Sequence, residues 1–117
     1  MKTMKGKVSE EFSRGNFEFA FNHFDDDIIW NIVGASVIKG KAAVINFCNK
    51  MLVDMANATL NNTNYIVSDN AIAIEGYCDY VNENNAPGRL EYCDVYHFTG
   101  EKLKRITSYC IEIKIDS

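Results

Sequence analysis

Proline occurs once in 117 residues, and no run of apolar residues approaches the roughly 20 needed to span a bilayer. The near absence of proline argues against a disordered or linker-rich chain, as does an apolar content of 47%. Basic clusters are missing too. Beyond the N-terminal lysines, the groupings are Lys39 with Lys41, and Lys102 with Lys104 and Arg105, in a chain of net charge −4. A nucleic-acid partner would need a basic face, so none is expected. The basic stretch Met1–Lys7 is followed by no apolar segment of the kind a secretion leader carries, so a cytoplasmic protein is expected, with no membrane association. Cys48, Cys78, Cys93 and Cys110 form no Cys-x-x-Cys pair and fit no zinc spacing, so they read as reduced, mostly buried thiols. No metal is expected.

What is present is enough for one domain, 1–117, with one sizeable core. Residues 7–24 read as helix in two pieces. Gly15 suits a left-handed helix end and Asn16 the cap of a second helix, in which Phe17, Ala20, Phe21 and Phe24 follow helical spacing. Asp25-Asp26-Asp27 reads as a solvated turn, and Ile28 to Val33 as a strand ended by Gly34. After Lys39-Gly40-Lys41, the positions Val44, Phe47, Cys48, Met51, Leu52 and Met55 predict an amphipathic helix. Residues 57–64 read as a loop or the start of a strand. Strands follow at 65–67, 72–81, 89–98 and about 104–115. Helices first and antiparallel strands after is an α+β order.

The stretch Glu91–Gly100 is the most informative. Period-two alternation puts Tyr92, Asp94, Tyr96 and Phe98 on one side and Cys93, Val95 and His97 on the other. A carboxylate on a covered face needs a hydrogen-bond partner, a raised pKa or a function. On the last strand the apolar row Thr107, Tyr109, Ile111, Ile113 and Ile115 is expected to face the core. On the 72–81 strand the alternation does not choose a side. A hairpin centred on Glu101-Lys102 sets Tyr109 opposite Asp94, and one centred on Gly100-Glu101 sets Thr107 there. Closure of the earlier hairpin through 84–87 sets Tyr77 near it. The expectation is a row Tyr77, Asp94, Tyr109 across three strands. Such a row fits either a polar network that fixes the sheet or a site that holds a substrate oxygen. His97 lies on the other face from Asp94, so the two form no pair.

Gly15-Asn16-Phe17, His23-Phe24-Asp25-Asp26-Asp27, Val33-Gly34, Lys39-Gly40 with the helix after it, and Asp94-x-x-x-Phe98-x-Gly100 occur in an order and spacing that resemble a family. The chain resembles the SnoaL-like members of the nuclear transport factor 2-like superfamily, which includes the ketosteroid isomerases, over nearly its whole length. The resemblance implies an α+β cone: a curved, mostly antiparallel sheet wrapped around N-terminal helices and enclosing an apolar pocket. It also implies a homodimer formed through the sheet, a small apolar ligand and no cofactor. Asp94 matches the oxyanion-binding aspartic acid of the steroid isomerases. Their proton-shuttling aspartate falls near Asn31 or Ile32, and their catalytic tyrosine near Val8, none of which does that chemistry. Arg89 and Arg105 do not supply the arginine of the related epoxide hydrolases.

Two functions are therefore expected as alternatives. In the first, the pocket binds an apolar, oxygen-bearing molecule and isomerises, cyclises or hydrates it. Asp94 is then the acid or hydrogen-bond donor, Tyr77 and Tyr109 orient the oxygen, Trp30, Tyr96 and Phe98 form the wall, and Asn31 holds a polar group or water. In the second, the chain is a non-catalytic ligand carrier or dimerisation module, with Cys78, Cys93, Val95 and Cys110 on the partner surface.

Overall fold

The structure is a computed structural model that describes residues 3–114. Helix α1, Met4–Ser13, opens with the Thr3 hydroxyl accepting from the Gly6 amide, and it buries Val8, Ser9, Phe12 and Ser13 on one face. Gly15, at φ +97°, then reverses the chain. The second helical piece is a 3-10 turn, Phe17–His23, not an α-helix. Phe17 and Ala20 face the core at the three-residue period of that turn. The chain enters strand β1, Phe24–Ile32, at once. The aspartate triplet 25–27 therefore lies within a strand instead of a turn, with the Asp25 carboxylate held by Lys104 at 3.2 Å and by the Asp27 amide.

A short strand β2, Ser36–Lys39, which the sequence does not announce, folds back on β1 before helix α2, Lys41–Asp54. Val44 and Cys48 are the buried residues of α2, while Leu52 at its far end is exposed. The remaining strands are β3, Thr59–Val67, β4, Ala71–Val81, β5, Pro87–Thr99, and β6, Lys102–Ile113. They form one mixed sheet in the order β2-β1-β6-β5-β4-β3, antiparallel except for β1 against β6. The helices pack on its inner face around Phe12, Phe24, Ile28, Ile74, Tyr96 and Ile106. This is the α+β cone, left open at its edges. Among the described residues no helix is long and apolar enough to cross a membrane.

Two registers decide which side chains reach the interior, and both overturn the expected tyrosine row. The β5–β6 hairpin turns on Gly100-Glu101, pairing Thr99 with Lys102 and Phe98 with Leu103. The register then shifts, so that His97 pairs with Arg105 and Asp94 with Ser108. One extra residue in β6 exchanges its faces. Leu103, Ile106 and Ser108 point inward, whereas Tyr109 and Ile111 are 47% and 66% exposed on the outer face. Ile113 shares their side by alternation, and Ile115 lies outside the described residues. In the earlier hairpin Val81 pairs with Pro87 across a five-residue loop, which sets Ile74 opposite Asp94 and Tyr77 opposite Glu91. Tyr77, Glu75 and Asp79 therefore face outward, and the Tyr77 ring lies 4.3 Å from the Arg89 guanidinium.

Candidate functional site

The inner face of β4, β5 and β6, together with the ends of α1 and α2, encloses a cavity of about 350 Å³. Its closed end is built by buried side chains: Phe12 and Ser13 from α1, Trp30 from β1, Tyr92 and Asp94 from β5, and Ser108 from β6. Its open end is rimmed by exposed residues, with Asp54 and Asn57 at the end of α2 and Val81 at the end of β4. Met51, Met55, Leu60 and Leu90 make the walls between apolar.

Asp94 is the polar centre of the closed end. Ser108 donates its hydroxyl to Oδ1 at 2.6 Å, and Ser13 donates to Oδ2 at 2.8 Å. The Trp30 indole N–H donates to the Ser108 oxygen at 2.9 Å. The Tyr96 hydroxyl lies 2.5 Å from the Ser13 oxygen. Because Ser13 has one proton and gives it to Asp94, Tyr96 supplies the proton of that last bond. Four N–H and O–H groups thus point along two chains toward one carboxyl group. Burial pushes the Asp94 carboxyl above its ordinary range, and the hydrogen bonds from Ser108, Ser13 and Tyr96 offset part of that rise. Burial, then the Asp94 charge, also raises Tyr92 and Tyr96, while burial lifts Cys110 to about 11. Those groups stay protonated at ordinary pH.

The local sequence explains the placement. Ser9 and Ser13 follow Val8 and Phe12 at helical spacing, so the buried face of α1 carries hydroxyls beside its apolar stripe. Ser9 returns its hydroxyl to the Lys5 carbonyl, whereas Ser13, in the last turn, is free to reach across to β5. Tyr92 lies over Gly76, its register partner, because no Cβ stands there, and its hydroxyl donates to Asn62 Oδ1 at 2.6 Å. Tyr80 lies over Gly88 in the same way.

Of the residues singled out from the sequence, Asp94 and Trp30 line the cavity. Tyr96 stands behind them in the hydrogen-bond chain, and Phe98 is buried deeper in the core, with the Lys5 ammonium 5.9 Å from its ring. Asn31 alternates away from Trp30, in register with Val37 and Thr107, and does not line the cavity. Tyr77 and Tyr109 are on the outer face, so neither reaches a group held by Asp94. Cys78 and Cys110, expected on a partner surface, line the cavity, while Cys93 and Val95 face outward. Ser13, Ser108 and Tyr92 were missing from the expected site. The helical spacing of Ser9 and Ser13 beside Phe12 was the available signal for Ser13, but Ser108 had none, because its side depends on the β6 bulge. Among the described residues no three His, Cys, Asp or Glu side chains group as metal ligands.

The model of the SnoaL-like domain matches residues 7–106. The fold is similar to an NTF2-like protein of unknown function from Cytophaga hutchinsonii, at 46% identity and a TM-score of 0.91, covering 95% of this chain and 99% of that one. A candidate SnoaL-like polyketide cyclase from Jannaschia sp. is 8% identical with a TM-score of 0.76, covering 91% and 83%. A candidate ketosteroid isomerase from Kribbella flavida is 13% identical with a TM-score of 0.73, covering 97% and 78%. The last two likenesses are of fold alone. No curated protein matches the chain. With the family model spanning Lys7, within α1, through Ile106, and the helices and sheet arranged as a cone, this chain belongs to the SnoaL-like domain family within the NTF2-like superfamily.

Proposed function

We propose that the cavity binds a small, largely apolar molecule that bears an oxygen function, with Asp94 as the acid or hydrogen-bond donor to that oxygen. One observation carries the reading: a carboxyl group that is only 9% exposed stands at the closed end of a largely apolar cavity. With its pKa raised, Asp94 keeps its proton to higher pH than an exposed carboxyl and donates to an oxygen that gains negative charge. The fold likeness to proteins named as a cyclase and an isomerase supports isomerisation or cyclisation as the class of reaction. Abstraction of a carbon-bound proton needs a base facing Asp94, and Ile32 on that wall has none. Binding with polarisation of the oxygen is therefore the core of the proposal.

Trp30 is the single tryptophan, and its indole N–H is bonded to the serine that holds Asp94. Its indole NMR signal reports on the closed end. 1-Indanone is expected to shift that signal saturably and to bind about 2–10-fold more tightly than indane, the range of one neutral hydrogen bond. Equal affinity for the two would remove Asp94 from the reading, and no saturable shift with either would remove the pocket.

The outer face favours an association role beside this one. Tyr109, Ile111, Val37 and Ile66 are exposed there on β6, β2 and β3. Paired across two copies, this sheet face forms the apolar centre of a homodimer. Sedimentation is expected to show a concentration-dependent dimer that Tyr109→Lys weakens. A strict monomer at high concentration would count against it.

A further inference from the structure

From the charges in and around the cavity, we infer that its preferred occupant, once Asp94 is ionised, is a protonated amine on an apolar or aromatic skeleton, with the ammonium group against Asp94. The inference rests on the cavity being a binding site and assigns the class of ligand that it selects.

Three observations lead there. First, the charged side chains that line the cavity are Asp94 at the closed end and Asp54 at the open end, with no Lys, Arg or His among the lining residues. Arg14, next to Ser13 in the chain, is paired with Glu10 and Glu11 on the surface. A carboxylate, phosphate or sulfate on a ligand would meet two acids and no cation. Second, helix α2 ends at the open end, with its negative pole there and no basic residue in its last turn. The rim potential therefore has the sign that draws a cation in. Third, the donor chains through Ser13 and Ser108 both end on Asp94, one on each oxygen, and hydrogen bonds of that direction stabilise its ionised form. Such a buried anion lacks a countercharge, and an ammonium ion supplies one. The faces of Phe12, Phe17, Trp30 and Tyr92 add the aromatic surface that accepts a cation.

The other groups near Asp94 do not compete for the role. Ser13 from α1, Trp30 from β1, and Ser108 from β6 do not titrate. Tyr92 and Tyr96 from β5, Cys78 from β4 and Cys110 from β6 are all held protonated by burial. Asp54 stands at the rim. Asp94 is thus the group whose ionisation sets the ligand preference. Protonated, it serves a neutral oxygen. Ionised, it serves an ammonium ion.

The test compares 1-aminoindane with 1-indanone, which share a skeleton, by the Trp30 indole signal from pH 5 to 8. The amine is expected to bind about tenfold or more tightly than the ketone at pH 8. Its affinity should rise with pH as Asp94 ionises, while that of the ketone falls. Asp94→Asn should abolish the preference and the pH slope of the amine while ketone binding persists. If the ketone binds and the amine binds no better at any pH, the inference is wrong and the oxygen-ligand reading stands. If neither binds, both fall. Should Asp94→Asn fail to fold, the opposite pH slopes in the unaltered protein decide the matter.

Discussion

Phe12→Ala is expected to lower stability by about 3–5 kcal/mol. Phe12 is 2% exposed and sits at the crossing of the helical layer and the sheet. Its ring centroid lies 4.7 Å from Phe17, 5.1 Å from Trp30, 5.9 Å from Tyr96 and 6.2 Å from Phe24. These tilted and edge-on contacts add to the buried area, and the three elements packed on α1 here (the 3-10 turn, β1 and β5) would lose packing at once. The rings cannot collapse into the gap, because Trp30 and Tyr96 are tied to the hydroxyls around Asp94. Urea denaturation should therefore show a large fall in midpoint with an unchanged slope. A loss below about 1.5 kcal/mol would mean that α1 repacks freely, and the described core would not be the one that holds the fold. Because Phe12 also lines the cavity, the same truncation enlarges the closed end.

Gly76→Ala is expected to cost about 3 kcal/mol, at the upper end of what one added methyl group does in a packed interior. A Cβ at this position would overlap the Asn61 carbonyl and the Tyr92 hydroxyl. The first is backbone, held in place beside the β-bulge between Asn62 and Asn64. The second is the tip of a ring held by its bond to Asn62, so neither gives way cheaply. Relief requires that β3 part from β4 or that the Tyr92 ring swing toward the cavity. The melting temperature should drop by roughly 10 °C, and the Tyr92 ring resonances should shift. Adding Tyr92→Leu to the alanine variant should recover part of the loss, because the two changes share one contact. If Gly76→Ala melts with the unaltered protein, the close approach of β3 to β4 is not as described.

Much of the architecture follows from local rules that the chain states openly. The spacing of Val44, Phe47, Cys48 and Met51 makes α2 amphipathic however the rest folds. Gly15 ends α1 in a conformation that glycine adopts without strain. Alternation in β5 puts Tyr92, Asp94, Tyr96 and Phe98 on one face, and all four are buried. The phenylalanine spacing of 17–24 indicates a helical piece, but the 3-10 form comes from the immediate entry into β1, which leaves no length for a second α-helix. Strand β2 could not be read at all. Its burial pattern is exposed except for Ile38, and it exists because β1 offers an edge to pair with.

The candidate site divides along the same line. The sequence by itself determined that Asp94 would be a carboxyl on the covered face of its strand, because a strand's own alternation is a local property. It also determined the apolar stripes that cover that face. The tertiary structure alone decided the company Asp94 keeps. A five-residue loop before β5 set Ile74 beside it instead of Tyr77, and one extra residue in β6 turned Tyr109 out and Ser108 in. Each of these is an offset of an odd number of residues, and with a side-chain period of two such an offset exchanges the faces of a whole strand. The donors to Asp94 are therefore two serines, backed by a tryptophan and a tyrosine, because the register of neighbouring strands is fixed by loops and bulges rather than by the strand that carries the acid.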